Sequence, residues 1–233
     1  MKEKQGSGFW DKRSRMFDSQ VLEVYKNAYK KTVKRSAAFL NQENTVLEIG
    51  CGTGIVTMQL ADCVKEITAI DSSREMLLRA EQKARELGKQ NISFHCGTLK
   101  DRKFPAKSFD VVTAYNVLLY MENQEEVLEQ IYEVLKPGGL FISATDCLGR
   151  SLSKEAIKKF WKSKLHLMPY VAFDTPIGLM RRIQKHGFLV LEIVNLHKSP
   201  PNIFIVGHFC RNKCCRQISI YHVSIFSVSC IQT

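Results

Sequence analysis

A stretch of strand character, Thr45-Val46-Leu47-Glu48-Ile49, runs directly into Gly50-Cys51-Gly52-Thr53-Gly54, three glycines at alternate positions. Without Cβ atoms the backbone can turn sharply here and approach a ligand closely. A helix is expected from about Gly54 to Asp62, and its first turn would offer unpaired N–H groups and a partial positive charge. Strand, glycine turn and helix in succession open a doubly wound α/β sheet.

The rest of the chain continues the alternation. Apolar residues at helical spacing, from Val21, Val24, Tyr25, Ala28 and Tyr29 to Val33, Ala37 and Leu40, predict a helical N-terminal segment. Further strands are expected at Glu66–Ile70, Ile92–His95, Phe109–Tyr115, Leu140–Ala144, Phe188–Val194 and Ile203–Phe209. Helices are expected from Ser73 to Leu87, with Ser73 as cap and Gly88 as stop, from Asn123 to Leu135 and from Ile177 to Lys185. Lys136-Pro137-Gly138-Gly139 is expected to break the chain before the fifth strand, and Lys198-Ser199-Pro200-Pro201-Asn202 to turn it between the last two. Residues 1–210 then form one domain, with a helical lid over 1–42 and a helical insertion over 150–176. The tail, 211–233, alternates like a strand from Ile218 to Ile225 after the sheet should be complete, and carries no catalytic role.

A length of 233 residues, 45% of them hydrophobic and 24% charged, suits a globular chain with a sizeable core. No run reaches the roughly 18 apolar residues of a membrane span. Met1-Lys2-Glu3-Lys4-Gln5 lacks the apolar run of a secretion signal, so a cytoplasmic protein is expected. The eight cysteines include no C-x-x-C pair, and Cys51, Cys63, Cys96 and Cys147 fall in or beside apolar segments. They read as reduced thiols, with no metal site. The net charge of +11 gathers at Lys26, Lys30, Lys31, Lys34 and Arg35, and again at Lys154, Lys158, Lys159, Lys162 and Lys164. Both groups have the spacing of the wet face of a helix; nucleic acid, an anionic substrate or acidic lipid headgroups are the alternative reasons for them.

The glycine run departs from the dinucleotide pattern G-x-G-x-x-G, because Ile55 stands where the third glycine belongs. Glu48, two residues before Gly50, would repel a pyrophosphate and attract an ammonium group. Asp71 ends the second strand about twenty residues beyond the glycines, where a carboxylate can accept both hydroxyls of a ribose.

On these residues the chain resembles the class I S-adenosylmethionine (SAM)-dependent methyltransferases, in particular their bacterial small-molecule branch. The resemblance extends from about Phe9 to Phe209. It rests on Val46–Gly54, Ile67–Asp71, Phe104-Pro105 with Ser108–Val112, and Val134–Gly139, in that order. It implies a Rossmann-like, doubly wound, seven-stranded sheet whose C-terminal strand is antiparallel, and SAM as cofactor with S-adenosylhomocysteine (SAH) as product. It further implies that Glu48, Gly50, Cys51, Gly52 and Gly54 surround the methionine end, that Asp71 holds the ribose, and that Ser72 and Met76 pack near the adenine. Thr98 stands where many relatives have an Asp for the adenine amino group, so the Thr98 hydroxyl or the Leu99 backbone must serve. Asn116 closes the fourth strand towards the methyl group, with Tyr25 and Tyr29 as the lid residues of the reacting end. Tyr120 falls where several relatives have His, and His166, His186 and His197 lie outside the motifs, so a dedicated general base is not expected.

The expected reaction is methyl transfer to a small-molecule acceptor. An RNA methyltransferase is the alternative enzyme, disfavoured because Asn116-Val117-Leu118-Leu119 replaces the Asn/Asp-Pro-Pro-aromatic run of amino-methylating nucleic-acid enzymes. A SAM-binding protein without activity is the third reading, prompted by Thr98 and the tail.

Overall fold

A computed structural model describes residues 2–149, 154–165 and 167–210. His166 and the expected strand in the tail lie outside the described residues. Helices α1 (Lys2–Arg13) and α2 (Phe17–Ala37) come first, followed by β1 (Thr45–Ile49), α3 (Thr57–Leu60), β2 (Glu66–Asp71), α4 (Arg74–Glu86) and β3 (Ile92–Cys96). Then come β4 (Phe109–Tyr115), α5 (Gln124–Val134), β5 (Leu135–Asp146), α6 (Lys154–Lys164), α7 (Pro176–Lys185), β6 (Phe188–Lys198) and β7 (Pro201–Phe209).

The seven strands form one sheet in the order β3-β2-β1-β4-β5-β7-β6. Strands β1 to β5 pair in parallel, whereas β7 runs antiparallel to both β5 and β6. Alternate residues of β4 enter different cores, as a strand buried on both faces requires. Val112 and Ala114 pack with Leu128 and Ile131 of α5 and Leu179 and Ile183 of α7. Val111 and Tyr115 pack with Ala28 of α2, Leu60 of α3 and Leu77 of α4. The chain reverses its winding between β1 and β4, so a crevice opens at the carboxyl ends of those strands.

Two local expectations give way. The helix after the glycines is shorter than its apolar pattern suggests. Gly54 has φ of +78°, a left-handed conformation that cannot begin a right-handed helix, so α3 starts only at Thr57, lasts four residues and passes directly into a 3-10 turn over Ala61–Cys63. The Lys136-Pro137-Gly138-Gly139 break lies inside β5 instead of before it. Pairing jumps from Phe109–Leu135 to Val111–Leu140, so these residues bulge out while the strand continues on either side. A Cβ on Gly139 would lie 2.8 Å from the Asp110 carbonyl oxygen, so only glycine fits there, and the Lys136 ammonium holds the Asp110 carboxylate at 2.8 Å.

Candidate active site

The crevice is a cavity of about 1610 Å³. Its floor is the glycine loop, whose N–H groups are largely spent on β2. The N–H groups of Gly50 and Cys51 donate to the Ile70 carbonyl at 2.8 and 3.1 Å, tying the loop to β2. Gly52 N–H donates to Asp71 Oδ2 at 2.8 Å, while Ser73 N–H donates to Asp71 Oδ1 at the same distance. Burial pushes the Asp71 carboxyl up, and the N–H groups of Ser73, Gly52 and Ser72 pull it back. A carboxylate with about four acceptor sites still has room for an incoming hydroxyl beside these N–H groups.

Glu48 is 3% exposed and lines the cavity. Burial, reinforced by the charge of nearby Asp71, pushes its carboxyl up to about 7. Among the described residues no lysine, arginine or histidine forms an ion pair with it. A buried carboxylate without a cation is costly, and the cavity it faces is the place from which a cation would come.

Gly50, Cys51, Gly52, Asp71, Ser72, Met76, Thr98, Leu99 and Asn116 also line the cavity, as do Tyr25 and Tyr29. Gly52, with φ of +56°, would direct a Cβ into open space, the nearest atom being the Phe17 ring at 4.0 Å. Gly54 is a correction: it does not line the cavity. A Cβ there would lie 2.8 Å from Met58 Cε and 3.4 Å from Ala80 Cβ, so this glycine serves the packing of α3 and α4 behind the loop.

At the far end of β4, Asn116 adopts φ of +54°, a left-handed conformation that asparagine tolerates better than most residues. Asn202 Nδ2 donates to Asn116 Oδ1 at 2.7 Å and to Asp146 Oδ1 at 2.8 Å. Asn116 is also hydrogen-bonded to Tyr29, whose phenol is pushed well up by burial. Asp146 lines the cavity and meets Lys159 Nζ at 3.3 Å. Sequence reasoning missed both Asp146 and Asn202. The end of a parallel strand is a place to look for ligand-facing residues, which was a signal for Asp146, but nothing local marks Asn202.

Thr98 has an acidic partner after all. Its N–H and hydroxyl donate to Asp101 Oδ2 at 2.9 and 2.7 Å. The Thr-x-x-Asp spacing of a capping motif was the available sign. The Thr98 hydroxyl spends its proton on Asp101 and in turn accepts from the Asp101 N–H at 3.4 Å.

Phe9, Trp10, Phe17, Val21, Tyr25 and Tyr29 of α1 and α2 border the cavity from above. Trp10 packs edge-on against Tyr120, with ring centroids 4.9 Å apart. Ser73 Oγ donates to Asp11 Oδ1 at 2.5 Å, fastening α1 to the start of α4. Asp18 accepts from Thr53 Oγ1 of the glycine loop at 2.5 Å and pairs with Lys83 of α4. The two describable histidine candidates are occupied elsewhere: His186 Nε2 lies 2.7 Å from Glu125 Oε2, and His197 Nδ1 lies 3.1 Å from the Pro200 carbonyl oxygen. Among the described residues no histidine borders the cavity, and no helix is long and apolar enough to cross a membrane. The described cysteines are free thiols, and no cluster of metal-binding side chains occurs among the described residues.

Residues 46–139 match the family model of a methyltransferase domain. The chain is 31% identical to the uncharacterized methyltransferase YcgJ of Bacillus subtilis, over 43% of this chain and 40% of that protein. It is 32% identical to the demethylmenaquinone methyltransferase of Lactococcus lactis, over 60% of this chain and 56% of that one. The chain thus spans about half the length of these relatives. Among solved structures, the DhpI–SAH complex superposes with a TM-score of 0.71 at 20% identity, over 91% of this chain and 98% of that one. The motifs, the sheet order and the matched domain agree: residues 46–139 are similar to the methyltransferase-domain family, within a sheet that has the fold of solved methyltransferases.

Proposed function

We propose that the crevice binds SAM and that the protein transfers its methyl group to a small-molecule acceptor. The observation that carries this reading is Glu48, a buried carboxylate without a cation at the edge of a cavity whose glycine floor leaves room for a ligand. SAM fits such a donor set, because it brings an ammonium for Glu48, ribose hydroxyls for Asp71 and an adenine for the region of Met76, Thr98 and Leu99. When bound, SAM supplies an electrophilic methyl group that an acceptor atom can take in line.

The chain's own part is to place that acceptor and exclude water. Tyr25, Tyr29 and Asn116 would border the reacting end, and α1 and α2 would act as the lid. The raised pKa of Tyr29 keeps its phenol protonated, so it serves as a hydrogen-bonding group and not as a base. Phe160, Leu167, Met168, Tyr170 and Phe173 wall the outer cavity, which suits a flat, largely apolar acceptor. The relative acting on demethylmenaquinone makes a ring-bearing acceptor of that kind a reasonable first choice.

The test is a screen of metabolite extracts for methyl transfer from isotopically labelled SAM, with products identified by mass spectrometry. A labelled small molecule formed by the wild-type chain and not by Asp71→Ala supports the proposal. Tight SAM binding with no labelled product from any extract would instead favour a binding protein without activity.

A further inference from the structure

We propose that the outward face of α6 is a docking surface for an anionic lipid bilayer. A helix on a protein in water turns its apolar side inward, and α6 does the reverse. Ile157 and Trp161 of α6, with Leu165 in the turn that follows it, stand at intervals of four and are 48%, 58% and 61% exposed. Leu167, just beyond them, is 64% exposed. The inward side is held by Ala156, which packs with Leu119, Leu148 and Val171.

Lys154, Lys158 and Lys162 recur at the same interval of four and lie on the same exposed side. This pairing selects the occupant. An apolar stripe alone would suit a second copy of the chain or a partner helix, but two such lysine rows would repel each other. A nucleic acid would use the lysines and leave Ile157 and Leu165 without a role. A bilayer with acidic headgroups uses both, since lysines meet the headgroups while tryptophan and aliphatic side chains enter the boundary beneath them. The chain's net charge of +11 acts in the same direction.

The face is continuous with the mouth of the cavity. Phe160 and Lys164 of α6 line the cavity, as does Leu167 after it. Docking would bring that mouth to the lipid surface, where an amphiphilic acceptor could pass into the cavity. The last step rests on the proposed methyl transfer; the docking does not.

The test uses the full chain sedimented with phosphatidylcholine vesicles, with and without phosphatidylglycerol. Sedimentation only with phosphatidylglycerol, reversed by high salt and weakened by about tenfold or more in Ile157→Glu/Trp161→Glu/Leu165→Glu, is the expected result. SAH affinity, measured on the same samples, should be the same in both proteins, which separates loss of docking from loss of fold or of the cofactor reading. A blue shift of tryptophan emission on phosphatidylglycerol vesicles that disappears in Trp161→Phe is expected as well. Absence of sedimentation at low salt, equal sedimentation of the triple variant, or a blue shift that survives Trp161→Phe would overturn the proposal. So would a gel shift with an RNA fragment by a protein that ignores the vesicles.

Discussion

Burial holds the Glu48 carboxyl at about 7, so the cofactor-free protein carries it roughly half protonated at neutral pH. Because the folded value lies above the ordinary 4.5, this group's contribution to stability is fully present below pH 4.5 and is lost as pH rises through about 7. Glu48→Gln is therefore expected to raise stability above pH 7 by roughly 2–3 kcal/mol, read from urea unfolding at pH 6 and pH 8. Binding should respond in the opposite way, since an ammonium against Glu48 requires the charged form. SAH affinity is expected to rise about tenfold per pH unit below pH 7 and to level off above it, and Glu48→Gln should abolish that slope. Asp71→Ala should weaken SAH binding by about 1.5–3 kcal/mol in calorimetry, through loss of charge-assisted hydrogen bonds to the ribose. It should also lower the melting temperature, because the N–H groups of Gly52 and Ser73 lose their acceptor. The positions of Glu48 and Asp71 were legible because both sit at fixed distances from the glycines in one continuous stretch. Asp146, Asn202 and Asp101 were not singled out, since hydrogen bonds such as Asn202 to Asn116 join residues far apart in the chain.

At the scale of elements, the N-terminal helices are fastened to the glycine loop and α4 by a few polar contacts. Asp18 joins α2 to the glycine loop through Thr53 and to α4 through Lys83, whose ammonium also donates to the Thr53 carbonyl at 2.9 Å. Asp18→Ala is expected to speed amide exchange over residues 9–21 and to weaken SAH binding by about 3- to 10-fold, with a smaller effect on global unfolding. Unchanged exchange in that segment would show that its aromatic packing alone holds it down. The helical character of the segment was readable from its periodicity; its attachment was not, because Asp11 and Asp18 are ordinary surface residues until α4 is beside them. Elements failed to follow local pattern where backbone geometry overruled it. The left-handed Gly54 delayed α3, and the Pro-Gly-Gly bulge was absorbed by β5 because β4 supplied partners on both sides.

For the molecule as a whole, alternating strands and helices sufficed for the sheet, and the glycine loop placed the crevice at its switch point. The topology also explains why ligand binding should be felt globally: β1, β2, β4 and the N-terminal helices all meet at one cavity. SAH at about 100 times its dissociation constant should add about 2.7 kcal/mol, a rise of roughly 5–11 °C in melting temperature for a domain of this size. NAD at the same concentration should leave it unchanged. The more direct measurement is a calorimetric titration with SAH and with NAD, side by side, at pH 8, where Glu48 is ionised. Saturable binding of SAH with stoichiometry near one, and none of NAD, is the result expected on the proposal that Glu48 receives an ammonium. Binding of NAD with no heat from SAH would contradict it.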